Sequence, residues 1–183
     1  MIAAAHIITG GVIGTAVSNP WLAIPLAVVS HYVLDFVPHK EYPVRYRRLA
    51  DPRSRRRAFP ADALRAGTDI GFGLIAVAWL SGASSLALIA GITAFLPDLF
   101  HLADDAFARS QGLVYTKHGT NPYRLPAGQA GGHATTFGLR MRSLQRTVHM
   151  RMQPFDADEV PVWVGFVTQG ATIAAGLIML TTL

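Results

Sequence analysis

Cysteine is absent from the 183-residue chain. This excludes disulfides and thiolate metal sites, and it is compatible with an active region facing the cytoplasm. Charge is scarce as well, at 15% of residues against the roughly 25% usual in soluble domains. It is also unevenly placed. All 16 Lys and Arg fall in residues 40–66 (nine) and 99–159 (seven). Outside those two segments the acidic residues are Asp35, Asp69 and Asp98, each near an end of an apolar run. A soluble helical protein would put charge on the outer face of every helix, so this distribution predicts a membrane protein. The first residues lack the basic region of a signal peptide, and apolar character resumes after Pro20, so no cleavage is expected. Neither a G-x-S-x-G elbow nor a P-loop is present, which argues against serine-hydrolase and nucleotide-driven chemistry. No histidine box of the di-iron oxidase kind occurs.

What is present reads as one domain of helices. Residues 2–38 form a first apolar hairpin, with Ser18-Asn19-Pro20 as its turn and Pro20 placed to open the second helix. Its arms are short for spans that need about 20 residues, so it is a thin hairpin across the bilayer or a re-entrant pair. Residues 40–66 read as a basic loop with nine positive and three negative residues. Without interleaved aromatic platforms, the loop suits cytoplasmic retention and anionic headgroups better than nucleic acid. Residues 67–97 repeat the hairpin pattern about a Ser81–Ser85 turn. In the polar region 99–159, the apolar residues Phe137, Met141, Leu144, Val148 and Met152 recur at helical spacing among arginines, as in a basic amphipathic helix lying on headgroups. Residues 160–183 are long enough to span, with Gly165, Gly170 and Gly176 allowing close packing. The expected fold is therefore an all-α, polytopic membrane helical bundle. It comprises two short hairpins related as repeats, an amphipathic helix and a C-terminal transmembrane helix, in a multi-pass cell-membrane protein with cytoplasmic polar loops.

The chemistry concentrates at the ends of the apolar runs. On a helix, His31 and Asp35 are four apart and share a face, and His39 continues the row, with Pro38 ending or bending the helix. Imidazole and carboxylate converging on one point suit a divalent metal, zinc foremost, with manganese or iron as alternatives. The plainer reading is a hydrogen-bonded i,i+4 pair tying a helix end to its neighbours. If both hairpins start on one side, His6, His31, Asp35, His39, Asp69, Asp98 and His101 all reach the same membrane face. Ionisable groups within apolar spans are candidates for function by default. His149 is near enough to join such a cluster, whereas His118 and His133 read as loop surface.

The pattern Ser-His-x-x-x-Asp-x-x-Pro, here Ser30 to Pro38, and Leu-Pro-Asp-x-x-His, here Leu96 to His101, resemble the membrane-bound metal-dependent hydrolase family of prokaryotes. His6 is similar to that family's early histidine. The His31–Asp35 spacing followed by Pro38-His39 is also similar to the zinc signature of bacterial zinc-dependent phospholipases C, whose fold is all helical. The resemblance implies metal-ligand roles for His6, His31, Asp35, His39, Asp98 and His101. From position and chemistry, Asp35 or Asp69 would be the catalytic general base. The expectation is a metal-dependent hydrolase acting on a phosphoester or lipid, with membrane lipid as partner. The competing expectation is a non-enzymatic membrane protein with a structural metal or a polar His/Asp network. Oligomeric state and substrate are not legible.

Charge placement puts residue 55 and the 81–85 turn on opposite sides of the membrane. Single cysteines at Arg55→Cys and Ser84→Cys, in a chain with no other thiol, should be labelled from opposite sides of sealed vesicles. Labelling from the same side contradicts the hairpin topology.

Overall fold

The computed structural model describes residues 3–39, 52–110, 114–115, 123–124 and 160–183, without the side chains of Pro52, Arg55, residues 101–110 and the two strands. Among these residues the fold is five helices and one minimal ribbon. The helices are α1 (Ala3–Ala16), α2 (Pro20–Asp35), α3 (Pro52–Leu80), α4 (Ser85–Ser110) and α5 (Val162–Thr182). Residues 1–96 with 152–183 form one compact unit, and residues 97–151 form a second. The second unit contains the antiparallel ribbon β1 (Val114–Tyr115) and β2 (Tyr123–Arg124), in which Val114 faces Arg124 and Tyr115 faces Tyr123.

The first unit is built around α1. Ten of its 14 residues are buried, so it has core-facing residues on all sides rather than a stripe. Two glycines show how closely its neighbours approach. A Cβ at Gly10 would lie 2.5 Å from the Ala90 carbonyl oxygen, and one at Gly11 would lie 2.5 Å from a Val77 methyl. Such contacts let backbones come together in place of side chains. α3 runs parallel to α1, with Gly73 against Ala4 and Ile7 and Val77 against Gly11. The first turns of α4 run antiparallel, with Gly91 against Ile7 and Leu86 against Gly14. α5 covers another side through Gly176 against Ile8 and Leu180 in the core cluster.

Local signals explain the helix ends. The Asn19 side chain accepts the Trp21 N–H at 3.0 Å and Pro20 is the first helical residue, so α2 starts where the turn signal places it. It stops at Asp35, because a residue preceding proline, here Val37, is driven out of the helical region. The 81–85 turn uses left-handed backbone at Gly82 (φ 62°) and Ala83 (φ 60°). For the alanine this costs about 1–2 kcal/mol.

Three expectations change. Residues 40–66 are not a loop throughout, since α3 begins at Pro52. Pro52 suits a first helical turn, and the Arg, Ala and Leu residues that follow are strong helix formers. Pro97 does not end the second hairpin, because α4 continues through it to Ser110. His39 does not extend the His31–Asp35 row, because the helix has already ended. The amphipathic helix expected over 136–152, together with His118, His133 and His149, lies outside the described residues, and so does the side chain of His101.

Among the described residues, two helical stretches are long and apolar enough to cross a bilayer. Arg56–Leu80 has a mean hydropathy of 1.3 and Val162–Thr182 one of 1.6. Ala3–Ala16 and Pro20–Asp35 are shorter apolar helices, of about 21 and 24 Å.

The packing of α1 predicts a contrast between glycines. Gly10→Ala should destabilise the detergent-solubilised protein by about 1–3 kcal/mol, because the group it meets is backbone that cannot turn aside. Gly71 has open space around its Cβ position, so Gly71→Ala should be neutral or stabilise by up to about 1 kcal/mol. Thermal unfolding of the two variants checks both signs.

Candidate metal centre

The site begins with the entry of α1 into the core. The first amides of a helix have no acceptor within it, and here they are close to the apolar interior. Asp69 of α3 supplies the acceptors: Ala3 N–H donates to its Oδ2 at 2.6 Å and Ala4 N–H to its Oδ1 at 3.3 Å. A carboxylate there also complements the positive end of the helix dipole. Asp69, expected as a catalytic base, therefore holds the start of α1.

One turn further along α1, His6 faces the end of α2. His31 and Asp35 lie on one face of α2 as their spacing predicts. The Nε2 atom of His31 is 3.3 Å from Asp35 Oδ2, and the Nε2 atom of His6 is 3.6 Å from Asp35 Oδ1. The two imidazole rings are 4.3 Å apart, tilted by 31°. His6, His31 and Asp35 are each 2% exposed or less. These nitrogen–oxygen separations are longer than the 2.7–3.0 Å of strong charge-assisted hydrogen bonds. The 3.3 Å separation equals the edge of a tetrahedron of ligands about 2.0–2.1 Å from zinc, roughly 3.3–3.4 Å, and the 3.6 Å one is slightly longer. On α4, partly buried Asp98 stands one turn past Ala94, and His6, His31 and Asp98 each offer a ligand atom within 4.8 Å of the other two. This group could hold a metal ion. Its chemistry, two imidazoles and carboxylate oxygen, suits zinc, manganese and iron alike.

His39 is buried beyond the end of α2, and its Nδ1 is 2.8 Å from the Val37 carbonyl oxygen. A carbonyl can only accept, so Nδ1 carries the proton, as it would in a histidine that coordinates through Nε2. The same segment is fastened to α5, where the Thr168 hydroxyl donates to the Pro38 carbonyl at 2.6 Å. Thr168 carried no sequence signal for this contact. It lies 130 residues from Pro38 in the chain.

Comparison with protein-family models finds no match, and comparisons with curated proteins and with solved structures find none either. The site's meaning therefore rests on its own chemistry.

If Asp69 anchors α1, Asp69→Ala should cost about 0.5–2 kcal/mol and expose the first amides of α1. Hydrogen exchange at residues 3–6 should accelerate while the C-terminal half of α1 stays protected. Unchanged exchange at residues 3–6 contradicts the assignment.

Proposed function

We propose that the chain is a multi-pass membrane protein in which His6, His31, Asp35 and Asp98 bind a divalent cation, and that this centre hydrolyses a phosphoester or carboxylic ester of a lipid. One observation carries the reading: two buried imidazoles converge on one buried carboxylate at separations that suit shared coordination. The resemblance of the Ser30–Pro38 and Leu96–His101 motifs to membrane-bound metal-dependent hydrolases points to the same centre.

The membrane setting draws support from the outer surface. Large apolar residues are exposed on every helix around α1, well beyond the isolated patches of a soluble monomer. Trp21 at the start of α2, Trp79 at the end of α3 and Trp163 at the start of α5 are each at least 70% exposed. Tryptophans at helix ends suit the two headgroup levels. The short α1 needs no full span of its own, because other helices rather than lipid surround it.

In the hydrolytic reading His6, His31 and Asp98 would hold the cation, which would supply Lewis acidity toward water and toward a developing oxyanion. His6 and His31 orient it, and Asp35 serves as ligand or as proton acceptor for the attacking water. His39, whose Nδ1 contacts the Val37 carbonyl, is a further candidate ligand on the strength of the motif. A metal brace without catalysis is the second reading. The nearly complete burial of His6, His31 and Asp35 favours it, since a structural site is closed by protein ligands.

Detergent-purified protein should carry near-stoichiometric divalent metal, and His31→Ala and Asp98→Ala should each lose most of it. Asp35→Asn keeps size but removes charge. It should lower esterase or phosphoesterase activity on lipid substrates at least tenfold, about 1.4 kcal/mol of barrier, while the protein still inserts. Activity that survives both chelation and Asp35→Asn contradicts hydrolysis at this centre. Metal retained without activity favours the brace.

A further inference from the structure

On the outer side of the α1–α2 pair runs an apolar groove of about 400 Å³. Val12 and Ala16 of α1, Leu26, Val29 and Val33 of α2, and Met179 of α5 form its walls. Ser30 is the one polar residue in the lining, and its hydroxyl is turned back to the Ala27 carbonyl at 2.7 Å. The groove thus offers hydrocarbon contact alone, and water inside it would find few partners. From Leu26 to Val33 it follows about 10 Å of helix. Its Val33 end lies toward the C-terminal end of α2, on the face of the helix turned away from His31 and Asp35. Its outer edge is open, since Leu26, Val29, Val33 and Met179 are each at least 40% exposed. That edge is continuous with the exposed apolar surface of α5, one of the two stretches able to cross a bilayer.

We infer that this groove holds one acyl chain of a membrane glycerolipid, with the polar head of that lipid toward the C-terminal end of α2. The inference rests on the proposed membrane setting and is independent of the metal centre. The occupant follows from three features: a lining without an available polar group, an opening onto the lipid-facing surface, and an axis that runs along α2 toward its polar end. A neighbouring helix, about 10 Å across with its side chains, would sit on the rim rather than in a volume of this size.

The test is photolabelling in phosphatidylcholine vesicles that contain a phosphatidylcholine with a diazirine near one chain end. Labelled peptides should concentrate on residues 12–33 and around Met179, and Val29→Trp and Val33→Trp should each reduce that labelling at least fivefold. Ile75→Trp, on the exposed face of α3, is the control for folding and insertion and should leave it unchanged. Label spread over α3 in proportion to exposure, or unaffected by both groove variants, overturns the inference. Labelling should persist after chelation, because the groove contains no metal ligand. A metal-free protein that labels in the groove overturns the metal centre alone, and a metal-loaded protein that labels indiscriminately overturns the groove alone.

Discussion

The burial of α1 sets the terms for the rest of the structure. A helix enclosed on all sides brings the unsatisfied amides of its first turn close to an apolar interior. Leaving such a donor unpaired costs about 1–3 kcal/mol, and the cost rises in hydrocarbon. The carboxylate of Asp69 meets that requirement by accepting from Ala3 and Ala4. In doing so it ties α1 to α3 and fixes how deep α1 sits. His6 follows one turn later, so its burial against α2 is a consequence of the same anchoring. The small residues at Gly10 and Gly11 then allow α3 and α4 to close on α1. A single helix thereby determines both the packing and the place of the candidate centre.

Asp35 is buried together with His6 and His31, and taking such ionisable groups out of water carries a cost. Desolvating one ion carries a penalty of several kcal/mol unless a strong partner offsets it. A divalent cation is such a partner, and two imidazoles with a carboxylate are a donor set that binds one. The orientation of the His39 ring is set by the Val37 carbonyl, which accepts from Nδ1. The Thr168–Pro38 hydrogen bond holds the segment carrying His39 against α5. The polar end of the bundle is therefore braced from two directions, by Asp69 at α1 and by Thr168 beyond α2.

Local features were well legible in the sequence. The Asn19-Pro20 start of α2, the i,i+4 pairing of His31 with Asp35 and the Ser81–Ser85 turn are all short-range, and each follows from capping, helical period or backbone preference. The gathering of His6 with His31 and Asp35 was legible only through the assumption that charged residues at the ends of apolar runs share one face. Three features were misread or hidden. Pro97 looked like a helix end, yet α4 continues through it to Ser110. The arginine run over 53–57 looked like a loop because charge was weighed above helix propensity. The hold of Asp69 on two backbone amides 65 and 66 residues away was hidden, because such partners leave no mark in side-chain patterns. The role of α1 as the central helix was masked by its shortness, since length is the criterion for a helix facing lipid but not for one surrounded by protein.

X-ray absorption at the metal edge of the purified, metal-loaded protein tests the central claim most directly. The account predicts a first shell of nitrogen and oxygen at about 2.0–2.1 Å for zinc, with outer-shell scattering from two or three imidazoles that falls by one ring in His6→Ala. A first shell of oxygen alone, without imidazole scattering, would contradict a cation held by His6 and His31.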